Sequence, residues 1–125
     1  MREILFRGKR VDNGKWITGL LAQYLEGIKA TICRYHYVPC DTGLFICIKP
    51  DTVGQYTGMS DVNGEKIFEG DIVQIKKYGM KYNFCVDFIN GRYLIYNRKN
   101  SFELNEDMSL EIIGNIYDTP ELLEG

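Results

Sequence analysis

The sequence predicts a mainly β chain with little helix, and three observations carry that expectation. Thirteen glycines and nine tyrosines in 125 residues favour short strands joined by tight turns. Asn-Gly pairs stand at Asn13-Gly14, Asn63-Gly64 and Asn90-Gly91, and this pair suits hairpin turns whose two central residues need positive φ. Between the turns lie short runs of β-branched and aromatic residues.

Each element follows from its own residues. A short apolar run over residues 4–6 is closed by Gly8, and Asp12-Asn13-Gly14 turns the chain into residues 15–25. Within that stretch, residues 20–24 suit helix or strand equally by pattern. Glu26-Gly27 is a second turn; residues 28–38 read as strand, 39–43 as loop and 44–48 as a compact apolar strand. Asn63-Gly64 precedes a strand at 66–68, and Gly70-Asp71 opens another at 72–77. Residues 78–81 read as a polar excursion. The strand at 82–89 alternates, with Phe84, Val86 and Phe88 on one face and Cys85 and Asp87 on the other. Asn90-Gly91 then returns the chain through 92–97, and residues 111–117 form a closing strand. Helix signals are few. Thr119-Pro120-Glu121 offers a cap, a proline and an acid for a short turn, and Asn100 with Glu103 forms a weak capping box.

Size and composition set the bounds. A 14.5 kDa chain buries about two thirds of its unfolded surface, enough for a core without disulfides or metal. No apolar run approaches the length of a membrane-spanning helix, and MREILFRGKR has no apolar segment behind its basic start, so neither a membrane helix nor a secretory leader is expected. The four cysteines, Cys33, Cys40, Cys47 and Cys85, contain no C-x-x-C and are expected as reduced thiols in a cytoplasm.

Net charge is −2, but it is unevenly spread. Residues 1–49 hold eight Lys/Arg against four Asp/Glu, a net +4; residues 50–125 hold seven against thirteen, a net −6. The composition also breaks at Lys49-Pro50, so the expected domains are a β-rich subdomain at 1–49 and a second at 50–125. The second half runs turn, strand, loop, hairpin, polar crossover and closing strand, the order of an SH3-like small β-barrel.

The stretch 48–75, IKPDTVGQYTGMSDVNGEKIFEGDIVQI, resembles the YopX family of phage and prophage proteins. The start over residues 4–16 (ILFRGKRVDNGKW) and the end over 111–123 (EIIGNIYDTPELL) resemble that family's termini, so the likeness spans almost the whole chain. The resemblance implies a phage or prophage origin, an SH3-like C-terminal half, homo-oligomers and no established activity. It supplies no catalytic residues.

The motif residues Gly54, Gln55, Tyr56, Gly58, Asp61, Gly64, Glu69, Gly70 and Asp71 are expected to build turns and packing, with a ligand-gripping loop as the alternative. Cys33, His36 and Cys40 form the sharpest metal candidate, C-x2-H-x3-C. A strand there would send Cys33 and His36 to opposite faces, which argues against it. Hydrolysis needs a base beside a nucleophile; His36 is the single histidine, the serines lack a nucleophile elbow, and no phosphate-cradling glycine motif occurs. No enzyme activity and no cofactor are expected.

Two binding classes remain. In the first the chain is an interaction or self-assembly module, its basic half meeting the acidic half of another copy, or a host or phage protein, with Tyr35 and Tyr37 among the aromatic anchors. In the second, Arg7, Lys9, Arg10, Lys15 and Arg34 track the phosphates of single-stranded nucleic acid while aromatics stack on bases. The acidic overall charge favours the first.

Overall fold

A computed structural model describes residues 3–23, 30–33 and 45–123. It is mainly β: two antiparallel sheets, ordered β4-β3-β2-β1-β5-β6 and β10-β9-β8-β7-β11, with helix only as 3-10 turns among the described residues. Neither strand order closes on itself. No helix among the described residues is long and apolar enough to cross a membrane. The chain forms two compact units, residues 1–56 and 57–125, and β5 passes from one to the other. The break in charge and composition at Lys49-Pro50 falls at the end of β4.

The first unit is built by consecutive antiparallel pairing of β1 (Phe6–Lys9), β2 (Trp16–Gln23), β3 (Ala30–Cys33) and β4 (Phe45–Ile48). The free side of β1 takes the start of β5 (Gly54–Ser60), with Phe6 opposite Gln55 and Arg7 opposite Gly54. Residues 20–23 are strand because they have ladder partners: Leu20 faces Cys33 and Gln23 faces Ala30. Tertiary pairing settles what local pattern left open. At the β1–β2 turn, Asn13 accepts a hydrogen bond from the Lys15 N–H (2.9 Å) and Gly14 sits at φ +70°.

Alternation then sorts the two faces of β1 and β2. Gly8 and Ile17 are register partners on the face where Ile48 is buried, with Ile17, Leu21 and Val53 packed against it. A Cβ on Gly8 would lie 2.6 Å from Ile48 Cδ1, so the missing side chain is what lets Ile48 reach the sheet. The 3-10 turn Pro50–Thr52 buries Thr52, whose Oγ accepts from the Lys9 N–H and donates to the Lys49 carbonyl.

In the second unit β6 (Lys66–Phe68) is followed by a meander: β7 (Asp71–Lys77), β8 (Met80–Ile89), β9 (Arg92–Tyr96) and β10 (Ser101–Glu103). The last strand, β11 (Glu111–Asn115), returns beside β7. One face carries the core of Ile67, Val73, Phe84, Val86, Ile95, Leu104 and Leu110.

Three local expectations are corrected here. β8 is buried on both faces at its middle, where Phe84, Cys85 and Val86 are all inaccessible, while Phe88 near its end is 49% exposed. Asn83 on the Cys85 face donates to the Leu122 carbonyl, so the C-terminal 3-10 turn Pro120–Leu123 covers part of that face. Residues 78–81 are no excursion; Tyr78 and Gly79 make a hairpin turn between β7 and β8. Asn100 caps no helix, because Ser101, Phe102 and Glu103 pair with β9. Thr119 does precede a 3-10 turn, but its hydroxyl is engaged with the Asn115 backbone.

Candidate functional site

The outward face of β1 and β2 collects charge around one ring. Arg7 and Lys9 are two apart and share a face, and register places Lys9 opposite Trp16 and Arg7 opposite Thr18. The Arg7 guanidinium carbon lies 4.7 Å from the Trp16 ring centre and the Lys9 ammonium 5.7 Å. Cation–π attraction of this kind, worth about 0.5–1 kcal/mol per pair at a partly exposed site, fixes both charges over the half-buried indole. Their methylene stems and the ring form a basic platform whose geometry is set before any partner arrives.

Of the other basic candidates, Arg10 is occupied by its own turn. Its Nε and Nη2 donate to the two Asp12 carboxylate oxygens at 2.8 and 2.6 Å, a fork that raises the arginine and holds the Asp12 carboxyl below its usual range. Lys15 is exposed at the foot of β2. Arg34, Tyr35, His36, Tyr37 and Cys40 lie outside the described residues. Cys33 ends β3, opposite Leu20 and Phe45. Among the described residues no three of His, Cys, Asp and Glu come together to hold a metal.

The motif residues are drawn into backbone architecture. Gly54 and Gln55 pair with β1, and the Tyr56 ring is buried while its N–H donates to the Leu5 carbonyl. Gly58 takes φ +89° and Gly64 φ +82°. Buried Asp61 accepts from the Asn63 and Glu65 N–H groups through Oδ1 and from the Ile112 N–H through Oδ2, at 2.9, 2.9 and 3.0 Å. One carboxylate thus closes the β5–β6 turn and clamps it to β11. Burial pushes its pKa up, but the three donors outweigh that and hold it below the usual carboxylate range. Asp71, 1% exposed, accepts from the Phe68 N–H at 2.8 Å. Between the half-buried Glu69 and Asp71, Gly70 turns at φ +90°, and a Cβ there would meet the Tyr117 ring at 3.0 Å.

Thr57 joins this set unforeseen: its hydroxyl donates to the Ile67 carbonyl and accepts from the Met59 N–H. Sequence reading also passed over Trp16 as the centre of the basic cluster. The signal was there, an Arg-x-Lys alternation facing the far arm of an Asp-Asn-Gly hairpin.

Elsewhere the chemistry is quiet. Burial pushes the Cys85 thiol up, partly opposed by its hydrogen bond with the Tyr96 hydroxyl, and Tyr96 itself is pushed up to about 12 by burial and then by the thiol. A thiol held in its neutral form is a poor nucleophile. In the second unit a shallow recess of about 200 Å³ is lined by Met59, Ile67, Met108 and Leu110 beside Glu106, smaller than the roughly 300 Å³ at which ligand pockets begin.

Residues 5–124 match the model of a family described as YopX protein. A comparison with curated proteins finds no match. Three solved chains match, among them the crystal structure of protein EF1440 from Enterococcus faecalis. That chain is 25% identical, with a TM-score of 0.62 over 99% of this chain and 100% of its own.

Proposed function

The chain belongs to the YopX family, and from that premise we propose that it is a phage- or prophage-encoded accessory protein that acts in the bacterial cytoplasm as a non-enzymatic interaction and self-assembly module. The observation that carries the reading is the Arg7–Lys9–Trp16 platform, a preset basic surface in a half of net +4 joined to a half of net −6. Complementary potentials fix register and partner choice more than they add raw affinity. A second copy of the chain offers the required acids: Glu103, Glu106 and Asp107 are exposed and Glu111 half-exposed. A host or phage protein with a similar acidic surface would be bound in the same way.

We read the second sheet as an SH3-like small barrel in the making. Its order, a four-strand meander with the last strand back beside the first, supports that finer reading. The platform suits a carboxylate-bearing partner better than a stacked base, because the Trp16 ring already carries two cations of its own chain. Sedimentation equilibrium tests the reading. A mass above the monomer at low salt that falls as salt rises is expected, and a strict monomer, or an oligomer indifferent to salt, would count against it.

A further inference from the structure

We propose that the β7–β8 hairpin tip is a contact site for single-stranded nucleic acid, separate from the Arg7–Lys9–Trp16 platform. Two hairpins of the second sheet invite comparison. Asn90-Gly91 turns at φ +53° and +81°, and Tyr78-Gly79 at φ +52° and +76°. Both have the two positive φ values of a type I′ turn, whose first central position favours Asn, Asp or Gly. Asn90 meets that preference. Tyr78 does not, and a bulky residue held there is strained. Little packing compensates: Tyr78 is 90% exposed, and its ring meets the Lys77 ammonium at 5.4 Å.

The neighbours of Tyr78 repeat the anomaly. Met80 is 58% exposed and Tyr82 38%, and register puts both on the face of Lys77 and Ile75. The opposite face carries Lys76 directly across from Lys81. Like charges directly opposed across a ladder repel, and Lys76 has only a loose partner in Glu111, at 3.9 Å. Three of the seven Lys/Arg in the acidic stretch 50–125 thus gather within six residues, around an exposed aromatic edge. An anion between Lys76 and Lys81 relieves their repulsion, and the Tyr78 ring, with the Lys77 ammonium on one face, is exposed enough to stack a planar group on the other. Phosphates joined to unpaired bases offer both. An anionic bilayer also meets the lysines, but it offers no planar groups for an exposed ring to stack on.

Fluorescence anisotropy with a labelled oligothymidylate of about 20 nucleotides, read at about 50 and 200 mM salt, tests the site. The intact protein is expected to bind, and to bind more weakly at the higher salt. Tyr78→Asn installs the residue the sister turn uses, so its thermal midpoint should hold or rise while affinity falls about tenfold, the loss of one stacked base. Lys76→Gln with Lys81→Gln should flatten the salt dependence. Arg98→Gln with Lys99→Gln, an exposed basic pair outside this hairpin, should leave oligonucleotide binding intact. The proposal fails if the intact protein shows no salt-sensitive binding. It fails equally if Tyr78→Asn and the double lysine variant bind like the parent, or if only vesicles containing phosphatidylglycerol are bound.

Discussion

The second unit buries seven hydrophobic side chains in one cluster, whereas the described part of the first buries Ile48 with three half-buried neighbours. The polar signature of the family falls on the heavily packed side: Asp61, Asp71 and Gly70 spend their chemistry on backbone N–H groups and close approach. The first unit instead displays its charges, with Arg7 and Lys9 laid over Trp16. The central motif marks architecture, whereas the family-like start over residues 4–16 carries the exposed basic face of Arg7, Lys9 and Trp16. Side chains already committed to the main chain have little left to offer a ligand.

Substitutions can break that contrast. The largest effect is expected from Phe84→Ala, since Phe84 is 3% exposed at the centre of the larger core; about 3–5 kcal/mol should be lost in urea denaturation followed by far-UV circular dichroism. Ile48→Ala should cost less, about 2–4 kcal/mol, because half-buried neighbours can relax into the gap. The single tryptophan, Trp16, lies in the first unit, so its fluorescence should register this change most directly. Equal losses at the two positions would erase the distinction between the cores.

Asp61→Asn should follow at about 2 kcal/mol, because an amide nitrogen cannot accept from the Ile112 N–H. Its pH dependence has a definite sign. The folded-state pKa of Asp61 is depressed, so the stabilisation is present above the unfolded value near 4 and lost as pH falls through the folded value. Acid titration of the thermal midpoint should therefore be shallower in Asp61→Asn than in the parent. Smallest of all, Arg7→Gln with Lys9→Gln should cost about 1–2 kcal/mol of stability at most, the sum of two partly exposed cation–π pairs.

Much of the fold was legible because its turns advertise themselves. Asn90-Gly91 and Gly64 take positive φ where Asn-Gly pairs predict it, and β7, β9 and β11 start within a residue of their expected places. What escaped was set by distant partners. Alternation put Cys85 and Asp87 on the face opposite Phe84, but gave no sign that a C-terminal turn covers part of that face. Asn100 and Glu103 resemble a capping box, yet Phe102 lies opposite Ile95 and the segment extends as strand. Tyr78-Gly79 was illegible for the opposite reason, since a tyrosine there runs against local preference. The basic candidates were visible singly, but that Arg10 is neutralised by Asp12 while Arg7 and Lys9 converge on Trp16 depends on rotamers and register.

Whether the Arg7–Lys9–Trp16 platform is an assembly surface is reached directly by one measurement. Sedimentation equilibrium at low salt should compare the parent with Arg7→Glu/Lys9→Glu, both first shown to be folded by their melting curves. An assembled parent and a monomeric double variant are predicted. Equal masses for the two proteins, whether monomer or oligomer, would contradict it.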